Sequence, residues 1–186
     1  LLPILAGLTK IAAHRHNNFL IFRGVFWHTI QRISLYDLYP SEYNDHNHYG
    51  PFFSLVIATF ALVPDAVGLL LWLVALSLVM YYAVRRLPLE QGKQIFLYWF
   101  CAHELLTALQ MQQFNIAIAA IIIGAFAAIE RKQEVLAAFL IILGTFVKLY
   151  GIVGLAFFFF VKRKPRFILA LIGWSVVCFV APMLLS

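Results

Sequence analysis

The chain has 186 residues, of which 63% are apolar and 12% are charged, and its formal net charge at pH 7 is +6. Soluble domains contain about 45–50% apolar and about 25% charged residues, so this composition excludes an ordinary soluble globular protein and indicates a lipid environment. The positive charge does not indicate nucleic-acid binding, because basic residues accumulate in the cytoplasmic loops of membrane proteins. We interpret residues 1–186 as part of one membrane domain of a longer protein.

The first fifty residues change from apolar to polar. Residues 1–13 are mostly apolar and are interpreted as the end of a first membrane helix. Residues 14–50 hold five of the six histidines and are predicted to form an extracytoplasmic loop. Five apolar side chains recur there at helical spacing: Phe19, Phe22, Phe26, Ile30 and Ile33. This spacing predicts an amphipathic helix that lies along the membrane interface.

Apolar runs after this loop predict seven further membrane or re-entrant helices. They cover about residues 51–63, 66–86, 95–110, 114–130, 134–147, 149–161 and 167–186. The first run is too short to span a bilayer easily, so an interfacial or re-entrant helix fits it better.

The run from Val135 to Val161 is apolar except for Lys148 at its centre. One long helix would place the basic loops at 130–134 and 162–166 on opposite sides of the membrane, which the positive-inside rule disfavours. We favour a break near Lys148, eased by nearby glycines, because it returns the chain to the same side. Nine of the fourteen basic residues are then cytoplasmic: Arg85, Arg86, Lys93, Arg131, Lys132, Lys162, Arg163, Lys164 and Arg166.

The polar loop supplies the candidate acid–base and polar binding residues. Its carboxylates, which are candidate general bases, are Asp37, Glu42 and Asp45. Its candidate substrate-binding residues are His46, His48 and Tyr49. The His-x-His pair with a nearby acid suggests a divalent metal as an alternative, but no third spaced ligand is present, so we expect no metal or other cofactor.

Polar residues within the apolar runs indicate the other wall of the site. A lysine in lipid is costly, so Lys148 either faces a cavity and binds an anion such as phosphate or snorkels to the interface. Four amides lie near its predicted level: Gln110, Gln112, Gln113 and Asn115. Together they suggest the wall of a site that binds a substrate with many hydroxyl groups. His103 and Glu104 are interpreted as locking helices together. A substrate with a phosphate, hydroxyl groups and a lipid tail would suit such a cavity.

Three ordered blocks of the sequence resemble a known family. They are His48-Tyr49-Gly50-Pro51-Phe52-Phe53 with the downstream Ala61-Leu62-Val63-Pro64, then Gln113-Phe114-Asn115, and then Gly144-Thr145-Phe146-Val147-Lys148. In order and spacing, across about residues 17–170, they are similar to blocks of glycosyltransferase family 87. This family belongs to the GT-C class and includes polyprenol-phosphate-mannose-dependent α-1,2-mannosyltransferases.

The resemblance implies an all-α fold, a polytopic transmembrane helical bundle of the GT-C type. It implies an inverting transfer of a mannose-like hexose from a polyprenyl-phosphate donor to a glycan or glycolipid acceptor. The reaction is expected on the extracytoplasmic face of a bacterial inner membrane, with the bilayer and these substrates, and no nucleic acid, as partners. In this scheme Lys148 stabilises the leaving phosphate.

The sequence departs from the family at the catalytic residue. The family's aspartate lies in the first outer loop, and the matching position is Asn18, whose amide cannot act as a general base. Asp45, Asp37 and Glu42 are the available replacements. Two alternatives stay open: a transporter or flippase of a polar lipid, and a catalytically silent relative of the enzyme.

Overall fold

The computed structural model describes residues 2–13 and 15–185, and all regular secondary structure within those ranges is helical. The all-α part of the predicted fold is therefore confirmed. The α-helices are α1 Leu2–Ala12, α2 Asn17–Gln31, α3 Phe53–Ala61, α4 Asp65–Arg85, α5 Gln91–Phe100, α6 Ala102–Gln110, α7 Asn115–Glu130, α8 Glu134–Val147 and α9 Lys164–Val180. A 3₁₀ helix, Leu149–Phe160, separates α8 from α9, and a short one, Ala181–Leu184, follows α9.

Two segments are long and apolar enough to cross a bilayer. They are α4 and the segment Lys164–Leu184, each of 21 residues. At 1.5 Å per residue each covers about 32 Å, close to the thickness of a hydrocarbon core. Four shorter apolar helices accompany them, namely Leu2–Ala12, Asn115–Glu130, Glu134–Val147 and Leu149–Phe160. α9 presents large apolar side chains such as Leu169 and Phe179 on its surface, which suits contact with lipid.

The chain reverses direction at Lys148. α8 ends at Val147, and Lys148 is extended, with φ −150° and ψ 125°. The 3₁₀ helix then packs back against α8, so that Gly151 lies against Gly144 and Gly154 lies against Ile141. A 3₁₀ helix repeats every three residues, so both of its glycines lie on the same face. The apolar run from Val135 to Val161 thus forms two short helices that meet at Lys148, not one unbroken helix.

An aromatic core joins α2, α3, α4 and the start of α7. The Phe22 ring centroid lies 5.2 Å from that of Phe53, and the Trp72 ring stacks on Phe114 at 5.6 Å. The predicted apolar face of α2 therefore packs largely inside the protein, through Phe19, Phe22 and Phe26. The two later residues of that face, Ile30 and Ile33, are exposed.

The helix ends divide between two ends of the molecule. At one end Arg131, after α7, donates a hydrogen bond to the Arg86 carbonyl, after α4, at 3.1 Å. At the other end the start of α7 meets the reversal at Lys148, which we call the Lys148 end. The larger differences from the sequence prediction concern two helices. The 95–110 helix begins earlier, at Gln91, and is divided at Cys101 into α5 and α6, and the last α-helix begins at Lys164 and ends at Val180.

Candidate functional site

The Lys148 end contains a connected group of polar side chains. The Lys148 Nζ donates a hydrogen bond to the Asn115 Oδ1 at 2.7 Å, and the Asn115 Nδ2 donates to the Gln113 Oε1 at 2.9 Å. The same Nζ lies 5.7 Å from the ring centroid of Tyr49 and 5.1 Å from that of Tyr150. Four residues selected from the sequence, Lys148, Asn115, Gln113 and Tyr49, are therefore brought together.

The amine of Lys148 has no carboxylate partner in residues 2–13 and 15–185. The ion pairs of those residues are Arg23–Asp65 and His28–Glu42, neither of which involves this lysine. Partial burial lowers the pKa of Lys148 from its ordinary value, because desolvation disfavours the charged form. A lysine that bonds only to a neutral amide retains donors for an anionic ligand.

Gln112 fixes the turn between α6 and α7, the turn that leads into Asn115. Gln112 is buried and adopts a left-handed backbone conformation with φ 53°. Its Nε2 donates to the Arg15 carbonyl at 3.2 Å and to the Gln110 carbonyl at 3.0 Å. The Trp72 indole N–H donates to the Gln112 carbonyl at 3.3 Å. These bonds tie the turn to the segment before α2 and to α4.

Tyr49 is held by a local turn and by aromatic packing. The Asn47 side chain bonds to the backbone N–H and carbonyl of Tyr49, both at 2.9 Å. The Tyr49 ring stacks on Phe53 with centroids 4.4 Å apart. Burial raises the pKa of Tyr49 to about 12, so at neutral pH its hydroxyl stays protonated.

An apolar groove begins at this polar group. It is a cavity of about 360 Å³ whose polar lining comes from Glu104, Gln113 and Asn115. The rest of the lining comes from α4 to α7: Met80, Val84, Leu97, Tyr98, Cys101, Leu105, Ala108, Ile116, Ala119 and Ile123. Asn115 belongs both to this groove and to the Lys148 group. The Lys148 amine does not itself line the groove and is connected to it through this amide.

The three candidate bases of the polar loop lie outside this groove. The Asp45 Oδ1 accepts a hydrogen bond from the His46 backbone N–H at 2.7 Å. The backbone of Asp45 is strained, with φ 139°. Asp37 is exposed. Glu42 is paired with His28, whose Nε2 lies 3.1 Å from the Glu42 Oε2.

Asn18 serves as a hydrogen-bond donor within the fold. Its Nδ2 donates to the Met111 carbonyl at 2.8 Å, in the turn that carries Gln112. The neighbouring Asn17 binds the backbone of Asn44 with two hydrogen bonds, at 2.7 and 2.8 Å. Both asparagines therefore connect the start of α2 to other loops, and an ionised aspartate could not donate at position 18.

The remaining predicted binding residues do not contact Lys148. The His46 Nδ1 lies 3.1 Å from the Tyr36 carbonyl, and His48 is exposed. The Gln110 side chain is exposed, while its carbonyl accepts the bond from Gln112. Within the described ranges, no three His, Cys, Asp or Glu side chains lie close enough to hold a metal ion.

Glu104 and His28 make contacts that the sequence did not indicate. Glu104 was interpreted as locking helices, but it lines the groove. It lies with Leu105 and Ala108 on one face of α6, which Cys101 precedes, a spacing visible in the sequence once the helix is known. His28 pairs with Glu42 across an irregular segment, and no local spacing signals such a contact.

Comparison with known proteins supplies the family. The sequence model of glycosyltransferase family 87 matches residues 47–186, which include Tyr49, Gln113, Asn115 and Lys148 but not Asn18. No curated protein and no solved structure matches the chain. The match covers most of the chain and confirms the resemblance seen in its three motif blocks. Together with its apolar helices, this identifies the chain as a membrane protein that belongs to glycosyltransferase family 87.

Proposed function

We propose that this chain forms the catalytic membrane domain, or part of it, of an inverting hexosyltransferase. The enzyme would transfer a mannose-like hexose from a polyprenyl-phosphate donor to a glycan or glycolipid acceptor. The reaction would take place on the extracytoplasmic face of a bacterial inner membrane, which the chain crosses several times. The observation that carries the proposal is the Lys148 amine, which lacks a carboxylate partner in the described ranges and is hydrogen-bonded to Asn115 in the wall of an apolar groove.

The amine is suited to the leaving group of this reaction. When the bond between the sugar and the phosphate breaks, negative charge develops on the phosphate oxygens, and a fixed cation stabilises it. Asn115 holds Lys148 at 2.7 Å, so the amine is positioned before the substrate arrives. The pKa of Lys148 is lowered by burial, so donor binding should weaken as the pH rises through that pKa, where the positive charge is lost.

The groove is suited to the lipid tail of the donor. Its walls are mainly aliphatic and aromatic, so an isoprenoid chain can pass from the bilayer into the groove and be held there by van der Waals packing. With the phosphate at Lys148, the first isoprene units would lie along α6 and α7, past Ile116, Ala119 and Ile123. We expect the amides of Gln113 and Asn115, which lie between the groove and Lys148, to hydrogen-bond to the part of the donor nearest the phosphate.

A transfer assay tests the proposal. The complete natural protein in lipid nanodiscs is given a radiolabelled polyprenyl-phosphate hexose and a lipid extract as acceptor, and the label is followed into lipid products and into free sugar. We expect Lys148→Ala to lower transfer by about 100-fold or more, because loss of one group that stabilises developing charge costs about 3 kcal/mol. Lys148→Arg, which keeps the charge, should retain more activity, and Lys162→Ala, between the 3₁₀ helix and α9, should behave as the wild type.

The same assay separates the competing functions. Full activity in Lys148→Ala would contradict the role given to this lysine. Donor binding without turnover would indicate a silent relative, which the amide at Asn18 favours. With the protein in proteoliposomes instead of nanodiscs, movement of labelled lipid across the bilayer without a new glycosidic bond would indicate a transporter.

A further inference from the structure

Two cavities lie on either side of α8 at the end of the molecule opposite the Lys148 end. The first, of about 260 Å³, lies between α4, α7 and α8, and the second, of about 460 Å³, lies between α8, α9 and the turn after α7. We call them the first and second basic grooves, because of the residues that line them: Arg86 and Arg131 in the first, Lys132 and Arg166 in the second. Gln133 and Leu136 line both, so the two grooves adjoin at the start of α8.

The four basic side chains are available to an anionic ligand. All of them are exposed. In residues 2–13 and 15–185 the ion pairs are those of Arg23 and His28, so none of the four pairs with a carboxylate. The Arg131 Nη2 donates to the Arg86 carbonyl at 3.1 Å, which holds these two arginines side by side. Guanidinium groups bind phosphate oxygens through paired hydrogen bonds, so this pair suits a phosphate.

Each groove continues from its basic residues along an apolar surface. The first follows α7 from Arg131 to Ala120, a distance of about 16 Å at 1.5 Å per residue, and includes Gly124. The second contains Phe139 and Trp174, whose ring centroids lie 4.6 Å apart. Basic residues at the helix ends with apolar surface beneath them match a phospholipid, which has a charged head group and acyl chains.

The start of α8, where the grooves adjoin, also favours negative charge. The N-cap residue of α8 is Gln133, and no side chain caps the helix there, so its first backbone N–H groups and its dipole face the head-group region. Glu134 is the one carboxylate in the lining of the two grooves. It is buried and offsets one of the four positive charges at most, so a positive surplus remains.

We propose that the two basic grooves together bind one phospholipid with two phosphates and four acyl chains, a cardiolipin. One phosphate lies at Arg86 and Arg131, the other lies at Lys132 and Arg166, and the glycerol bridge between them crosses the start of α8. The acyl chains lie on both sides of α8. A lipid with one phosphate would occupy one groove only. The site is separate from the Lys148 group and does not depend on the proposed sugar transfer.

Lipid binding in detergent tests the inference. Native mass spectrometry of the complete natural protein in a non-ionic detergent compares cardiolipin with phosphatidylglycerol, which has one phosphate, at equal concentrations of phosphate. We expect the wild type to bind cardiolipin about tenfold more tightly or better, because the second phosphate gains contact with two more basic residues in the same binding event.

Removal of either basic pair should abolish this preference, because a site for one phosphate is left. The two double variants are Arg86→Gln with Arg131→Gln and Lys132→Gln with Arg166→Gln. The matched control is Lys93→Gln with Arg163→Gln, which removes two exposed positive charges that do not line either groove. This control should keep the preference for cardiolipin.

Three results would overturn the inference. The first is equal binding of cardiolipin and phosphatidylglycerol by the wild type. The second is loss of the preference in the control variant to the same extent as in the groove variants, which would indicate a general attraction between basic residues and anionic lipid. The third is binding of phosphatidylethanolamine, whose amine would suit Glu134, as tightly as cardiolipin, since this lipid has no net negative charge.

Discussion

Asn18 shows how one side chain changes the expected chemistry of a site. By the sequence resemblance it occupies the position of the family's catalytic aspartate, yet the family match begins later, at residue 47. In the structure its amide donates to the Met111 carbonyl at 2.8 Å. The residue therefore has a structural reason to be an amide, because a carboxylate would repel that carbonyl.

We predict that Asn18→Asp does not increase sugar transfer and makes the protein less stable. Loss of this hydrogen bond should cost about 1 kcal/mol, or roughly 3 °C in melting temperature for a chain of this size. The measurement is thermal unfolding in detergent together with the transfer assay. Asn18→Ala is the matched control, since it loses the bond without adding a charge. A large gain of activity in Asn18→Asp would show that position 18 is the catalytic one and that the present chain is impaired there.

Residues near one another on regular elements were predictable, whereas contacts across irregular loops were not. The distribution of basic loops placed Lys148 and Asn115 at the same side of the membrane, and they form a hydrogen bond. The pair His28–Glu42 joins α2 to the segment 32–52, most of which has no regular structure. A periodicity fixes which face a residue occupies, but it does not fix the path of an irregular chain.

At the scale of elements, the reversal at Lys148 depends on two glycines. A Cβ added to Gly151 would lie 2.2 Å from the Gly144 carbonyl carbon and 2.3 Å from the Thr145 nitrogen. Both are backbone atoms, so neither can turn aside as a flexible side chain would. The sequence indicated a break at this lysine, but not that the returning segment would be a 3₁₀ helix, because its apolar residues fit several helical periods.

We predict that Gly151→Ala destabilises the protein strongly, by about 3 kcal/mol or more, because the 3₁₀ helix must move away from α8. Thermal unfolding in detergent is the measurement. Gly173→Ala on α9 is the matched control. A Cβ there meets no atom within 4 Å, so the exchange should stabilise its helix by up to about 1 kcal/mol. Gly154→Ala, whose Cβ would meet the Ile141 side chain at 2.7 Å, should be intermediate. Equal stability of Gly151→Ala and the wild type would contradict the close packing of these elements.

At the scale of the whole molecule, chemistry is concentrated at one end of the helices. The Lys148 group heads the groove along α6 and α7, while a separate cavity lies between α2, α8 and α9. The opposite end holds basic residues, among them Arg86 and Arg131. Composition was enough to predict a helical membrane protein, but the two separate cavities depend on how the helices pack, which no run of residues encodes by itself.

Photocrosslinking of the donor lipid tests the central claim most directly. A polyprenyl phosphate with a diazirine near the phosphate end of its chain is bound to the protein and activated by light, and the labelled peptides are identified by mass spectrometry. We predict labels on the groove faces of α6 and α7, between Cys101 and Ile123, that are lost in Lys148→Ala and kept in Lys162→Ala. Labels confined to α9, or labels on the groove that persist unchanged in Lys148→Ala, would contradict the account.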